Sequence, residues 1–159
     1  MSKSVGGVRG GSATKSPSQK IADAINSLES NTRASATPFT IGKVEDRMKR
    51  FAKDNGIELA SDNLSMSSRQ LQHALRDSKN DAGKTVTAQE LITMPSRISS
   101  MQLYHDSQKN NFVYTDGKAK YVIHPNYAVK KNGRHVNFIT ASRITSSQEF
   151  SKRNYTKIE

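Results

Sequence analysis

The chain has no cysteine, few acidic side chains for its many basic ones, and no run of about 18 apolar residues, and each shortage narrows what it can be. Without cysteine there are no disulfides, no thiolate zinc sites and no thiol nucleophile. Without a long apolar run no membrane-spanning helix is expected, and the N-terminus lacks the apolar core of a signal peptide, so the protein is expected to be soluble. His73, His105, His124 and His135 follow no metal-ligand spacing, so neither a metal nor any other cofactor is expected. Nor is there a Gly-x-x-x-x-Gly-Lys loop, a Gly-x-Gly-x-x-Gly turn or a Gly-x-Ser-x-Gly elbow.

What remains is a basic chain of 159 residues, enough for one domain with a core and a tail. Twenty-five Lys and Arg stand against 14 Asp and Glu, a net charge of +11. A surplus of that size attracts polyanions. From residue 97 onward eleven basic residues face four acidic ones, so +7 of the +11 lies in the C-terminal part.

Residues 1–16 are rich in glycine and serine, with Val5 and Val8 as the branched aliphatics, too little apolar surface to offset the entropy of ordering. They read as a disordered leader. Ile21, Ala22, Ile25 and Leu28 predict a short amphipathic helix to about Ser30, and the polar link that follows sets a boundary: residues 1–38 as leader, 39–159 as the domain. From Ile41 the spacing of Val44, Met48, Phe51 and Ala52 predicts a helix of about 13 residues ended at Gly56. A further helix is expected over Ser67–Asp77, then a polar loop over 78–86, and a capped helix from Thr87 to Pro95.

Beyond this the pattern turns to β: Met101–Tyr104, Asn111–Thr115, Ala119–His124, Tyr127–Lys130 and His135–Ile144, divided by turn residues. Asp116-Gly117 and Asn132-Gly133 favour the positive backbone angles of tight hairpins. A closing helical turn is expected within Ser147–Tyr155. Together these predict an α+β fold, with N-terminal helices packed on a C-terminal antiparallel meander.

The candidate ligand surface lies in that sheet region. Lys118, Lys120, Lys130, Lys131, Arg134 and Arg143 interleave with Tyr114, Tyr121, Tyr127 and Phe138, a mixture suited to phosphate contact and base stacking. The bland alternative is that the aromatics fill the core and the lysines solvate hairpin edges. Thr140 and Ser142 share one face of the last strand and can hold a phosphate. On the helix upstream, Arg69, His73 and Arg76 project together, and an imidazole between guanidiniums suits proton transfer beside a phosphate. His105, His124 and His135 sit near strand ends or turns and are adequately explained as surface residues.

The run from Gln72-His73 through Leu91-Ile92-Thr93-Met94-Pro95, Leu103-Tyr104-His105-Asp106, Phe112-Val113-Tyr114, Tyr121-Val122-Ile123 and Val136-Asn137-Phe138-Ile139-Thr140-Ala141 resembles the barnase/EndoU/colicin/RelE-like superfamily of small nuclease toxins. The similarity covers residues 64–150 and is nearest to the phage-associated branch found on head-morphogenesis proteins. It implies metal-independent RNA cleavage, in which a 2′-hydroxyl attacks the adjacent phosphate. His73 is then the base or acid, Thr140 a phosphate or 2′-hydroxyl contact, and Arg69 with Lys120 or Arg143 the charge stabilisers. It also implies a monomer acting on tRNA or rRNA in a bacterial cytoplasm, delivered by a phage or secretion system, with an immunity or host protein as a further partner. Two other readings stand beside it: a non-catalytic nucleic-acid-binding or virion-packaged protein, and a protein-interaction module.

Overall fold

Ser16 opens the first helix: its hydroxyl accepts from the Gln19 N–H, Pro17 takes the first helical position, and α1 runs Pro17–Glu29. The computed structural model describes residues 15–30, 33–76, 85–129 and 133–159. The leader up to residue 14, most of the loop expected over 78–86, and Lys130 and Lys131 lie outside them. Among the described residues α1 is followed by β1 (Phe39–Lys43), α2 (Asp46–Asp54), β2 (Asn63–Met66), α3 (Ser68–Leu75) and α4 (Ala88–Arg97). Then come β3 (Gln102–Asp106), β4 (Asn111–Thr115), β5 (Ala119–Ala128), β6 (His135–Arg143) and β7 (Tyr155–Ile158).

The α+β class stands, with three corrections of detail. The helix expected from Ile41 begins only at Asp46, because Ile41 is claimed by β1, which pairs with β2, and is buried in the core. Helical spacing and an edge strand compete for the same apolar residues here, and tertiary pairing decides. Strands therefore interleave with the helices instead of following them. The second correction is at Pro95, which lies inside α4, while Arg97 donates to the Glu90 carbonyl and to Thr93 Oγ1 across the last turns. The third is at the C-terminus, where the closing helical turn expected within Ser147–Tyr155 is a 3₁₀ turn (Glu149–Ser151) and leads into a strand, β7, that was not expected. Thr87 forms the expected capping box with Glu90.

Among the described residues one sheet of seven strands holds the fold, in the order β1-β2-β6-β5-β4-β3-β7. The expected antiparallel meander runs from β3 to β6, except that the runs expected to divide at Pro125-Asn126 are continuous in β5; β2 joins it parallel to β6, and every other pair is antiparallel. Alternation along the strands separates two faces. Leu103, Phe112, Tyr114, Tyr121, Ile123, Ile139 and Ala141 enter one core with Ile21 of α1, Met48 of α2, Leu71 of α3 and Leu91 of α4. All four α-helices of the described residues thus cover one face. Helix α1, expected within a flexible leader, contributes Ile21 and Ile25 to that core and so belongs to the packed unit.

The opposite face carries Lys120, Val122, His124, Phe138, Thr140 and Ser142, and no helix of the described residues packs over it. One end is covered by the C-terminal segment, where Phe150 stacks on Tyr104 at 4.5 Å between ring centroids. None of the described helices is long and apolar enough to cross a membrane.

Candidate nucleic-acid interface

The open face owes its chemistry to a break in the β5/β6 ladder. Ala128 lies opposite His135 and Tyr127 opposite Val136; the register then shifts between His124 and Tyr127, so that His124 lies opposite Phe138. Pro125 cannot donate to a ladder and Asn126 adopts a positive φ of 52°, so the extra residue is accommodated at this bulge. Without it, His124 and Tyr127, three apart, would point to opposite faces. The bulge puts both on the open one.

Asn137 fastens the bulge from beneath. It is fully buried, and its Oδ1 accepts from the N–H groups of Asn126 (3.2 Å) and Ala60 (2.9 Å). Its Nδ2 donates to the carbonyls of Ser61 and Asn63, both at 2.9 Å. One amide therefore ties the bulge to the segment that leads into β2.

His124 Nε2 lies 3.2 Å from Thr140 Oγ1, across the strand pair. Burial lowers the His124 pKa below its ordinary value and the positive charge of Lys109 lowers it further, so the imidazole is neutral at pH 7. Tyr127 continues the strip, 6.3 Å from the His124 ring and stacked on Phe138 at 5.2 Å. At 40% exposure it is the one large apolar side chain left exposed among the described residues. Past these rings, a cavity of about 200 Å³ brings in Arg69 and Gln70 from α3.

The residues singled out from the sequence divide between this strip and other places. Arg69 reaches it, and Thr140 stands in it. His73 does not: it is exposed on α3, whose Leu71 and Ala74 pack into the helix-covered core, whereas Thr140 projects from the other face. The enclosure of one phosphate by His73 and Thr140 is therefore not formed. Arg76 is exposed at the end of α3. Lys120 and Ser142 lie opposite each other on the open face, but Lys120 Nζ is held at 3.2 Å by Glu149, itself kept below the usual carboxylate range. Burial alone would raise the Glu149 pKa, and the Lys120 ammonium outweighs it.

Arg143 belongs to the helix-covered face, in a two-bond pair with Glu90 at 2.6 and 3.1 Å. Lys118 is exposed in the β4–β5 turn, and Arg134 is exposed just before β6. Lys130 and Lys131 lie outside the described residues. Tyr114 and Tyr121, read as stacking candidates, are fully buried on the helix-covered face; Tyr114 donates to Glu45, and burial with that carboxylate raises its pKa.

The residue that sequence reasoning passed over is His124. Its signal was Pro125-Asn126 inside a β-rich run, since proline within a strand pattern marks an edge or a bulge. A larger cleft, of about 720 Å³, lies at the other end of the sheet among Arg97, Tyr104, Asp116 and Phe150. Its charges are already matched, Arg97 with Asp116 at 3.1 Å and Glu149 with Lys120. It offers less for a ligand than the smaller cavity beside His124.

The fold and site define a class: a mixed α+β protein with helices on one face of its sheet and a polar, aromatic strip on the other. Beyond that class, comparison with models of protein families, with curated proteins and with solved structures gives no match.

Proposed function

We propose that the open sheet face binds RNA and cleaves it by attack of a 2′-hydroxyl on the neighbouring phosphate, with His124 as the base. The observation that carries this is the His124–Thr140 pair: a neutral imidazole, oriented by a cross-strand hydroxyl, on a face with an exposed aromatic ring and a guanidinium. If Nε2 holds the ring proton it donates to Thr140 Oγ1, and Nδ1 becomes the acceptor for the 2′-hydroxyl proton. The 2′-oxygen then bonds to phosphorus, the bond from phosphorus to the 5′-oxygen breaks, and the leaving oxygen takes a proton from water. The products are a 2′,3′-cyclic phosphate and a 5′-hydroxyl. Lys109, close enough to act on the imidazole, adds positive charge where the phosphate gathers negative charge. The resemblance to small nuclease toxins points to the same chemistry, with His124 replacing His73 as base.

Purified protein incubated with total tRNA and rRNA in chelator should yield cyclic-phosphate ends. His124→Ala should lower the rate by about 10²- to 10⁴-fold, as removal of a positioned acid or base does, and His73→Ala should leave it near wild type. Cleavage that chelator abolishes, or that survives His124→Ala, sinks this assignment.

One observation favours a second reading, a non-catalytic RNA-binding protein. Among the described residues no second titratable group hydrogen-bonds His124, so an acid for the leaving oxygen is not in place. That reading predicts salt-sensitive binding with no product.

A further inference from the structure

Two neighbouring cavities at the β2–α3 corner share Ala36, Arg69 and Val129. The smaller, about 200 Å³, has Tyr127 and Phe138 in its lining, with Gln70 beside them. The larger, about 430 Å³, brings Arg33 to the same opening as Arg69. Together they fall within the roughly 300–1,000 Å³ of small-ligand sites.

The stretches of chain that carry the two arginines are tied together. The Ser35 N–H donates to Ser68 Oγ at 2.7 Å, the Ser68 hydroxyl donates back to the Ser35 carbonyl at 3.2 Å, and the Arg69 N–H donates to that carbonyl at 3.0 Å. The chain that carries Arg33 is thus buttoned to the first turn of α3, which carries Arg69. Arg47, Arg97 and Arg143 all have acidic partners, whereas among the described residues neither Arg33 nor Arg69 forms an ion pair. Two like charges held toward one opening without an acid suit a dianionic or polyanionic group.

From this we infer a nucleotide subsite of single-stranded RNA: the base stacks on Tyr127, and a backbone phosphate lies between Arg33 and Arg69. Tyr127 suits the role because its ring is exposed on one side and backed by Phe138 on the other, a preformed stacking surface. Gln70 is placed to hydrogen-bond the edge of the base. The subsite adjoins His124 through the Tyr127 ring, so the nucleotide it holds is next to the phosphate that the proposed reaction would cut. The inference rests on the RNA-binding reading of this face and names the form of RNA and the residues that hold it. A duplex cannot use the subsite, because its bases are already stacked and paired.

The test uses a fluorescein-labelled 2′-O-methyl hexanucleotide, which lacks the attacking hydroxyl, so binding is read by anisotropy independently of cleavage. Tyr127→Ala should weaken binding about tenfold or more, and Tyr127→Phe, which keeps the ring, should restore it. Arg33→Gln and Arg69→Gln should each lower the slope of log affinity against log salt by about 0.7. The same sequence as a duplex should bind more weakly than the single strand. Lys157→Gln, on the distant edge strand β7, serves as the charge control and should change little. Wild-type binding by Tyr127→Ala and both arginine variants, or a preference for duplex, would overturn the subsite even if the protein cleaves RNA. Conversely, tight binding lost in those variants, with no cleavage of ordinary RNA, would keep the subsite and remove the ribonuclease.

Discussion

The two faces of the sheet solve opposite problems with the same strands. On the helix-covered side charged groups are paired internally: Arg143 holds Glu90, Arg97 holds Asp116, and Tyr114 donates to Glu45. On the open face the end near the C-terminus is closed in a similar way by Lys120–Glu149 and Phe150, but the end near the bulge leaves Tyr127 exposed and Arg69 without an acid. Charge that is matched stabilises a fold and is poorly placed to bind. Unmatched charge beside an exposed ring costs a little stability and is available to a ligand, and this contrast locates the site better than cavity size does.

Changes on the two faces should separate stability from binding. The largest effect is expected for Leu71→Ala, which deletes a fully buried side chain that anchors α3: about 2–5 kcal/mol lost in urea unfolding. Tyr127→Ala, by contrast, should shift stability by no more than about 0.5 kcal/mol. Comparable losses for the two would dissolve the distinction between the faces. Asn137→Ala is expected to cost about 3 kcal/mol, since four hydrogen bonds of a buried amide vanish and the groups it served are left wanting. Because the same amide fastens the bulge, hexanucleotide affinity should fall with it even in molecules that remain folded. Unaltered affinity there would mean that the bulge holds Tyr127 by itself.

A smaller effect is expected for Thr140→Val, which keeps the shape and removes the hydroxyl facing His124: about a tenfold slower cleavage, with oligonucleotide binding unchanged. The smallest is in the pH dependence of stability. The folded state lowers the His124 pKa, so below 6.5 the unfolded chain binds more protons and stability declines as pH falls. Glu90 is lowered too, burial being outweighed by the Thr87 N–H and Arg143, and Asp116 likewise by the Ala119 and Lys118 N–H groups and Arg97. Their stabilisation is present above 4.5 and 3.8 and is lost below, as pH falls through the depressed values. Urea midpoints should therefore show an early decline from His124 and a later one from the carboxylates, Glu149 among them, and His124→Gln should flatten only the first. Superimposable curves would show that His124 does not titrate as described.

The hairpins were legible in the sequence because the signal for them is local. Gly117 and Gly133 adopt positive φ at the turns where Asp-Gly and Asn-Gly announced them, and the strands Asn111–Thr115 and His135–Arg143 flank those turns as expected. Strand β2 was not, since Asn63–Met66 becomes a strand by pairing with β1 across the intervening α2 and by lying parallel to β6, some seventy residues on. The site divides in the same manner. Arg69 and Thr140 were singled out by residue type, but their setting was not, because His73 and Thr140 were joined by a docking of α3 that the fold does not make. His124 was hidden for a sharper reason. Counting outward from the Asn132-Gly133 turn in unbroken register sets it opposite Ile139, on the covered face; one extra residue at the bulge turns it to the open one.

By itself, then, the sequence determined the class of fold, the turns, most of the core and the positive charge, all of which depend on neighbours within a few residues or on composition. Tertiary structure decided which face each side chain joins, which arginines find an acid and which do not, and that His124, Tyr127 and Arg69 gather at one end of the sheet. The physical reason is that strand pairing has a period of two, so a single inserted residue, held by one buried amide seventy residues away from part of what it binds, exchanges inside for outside.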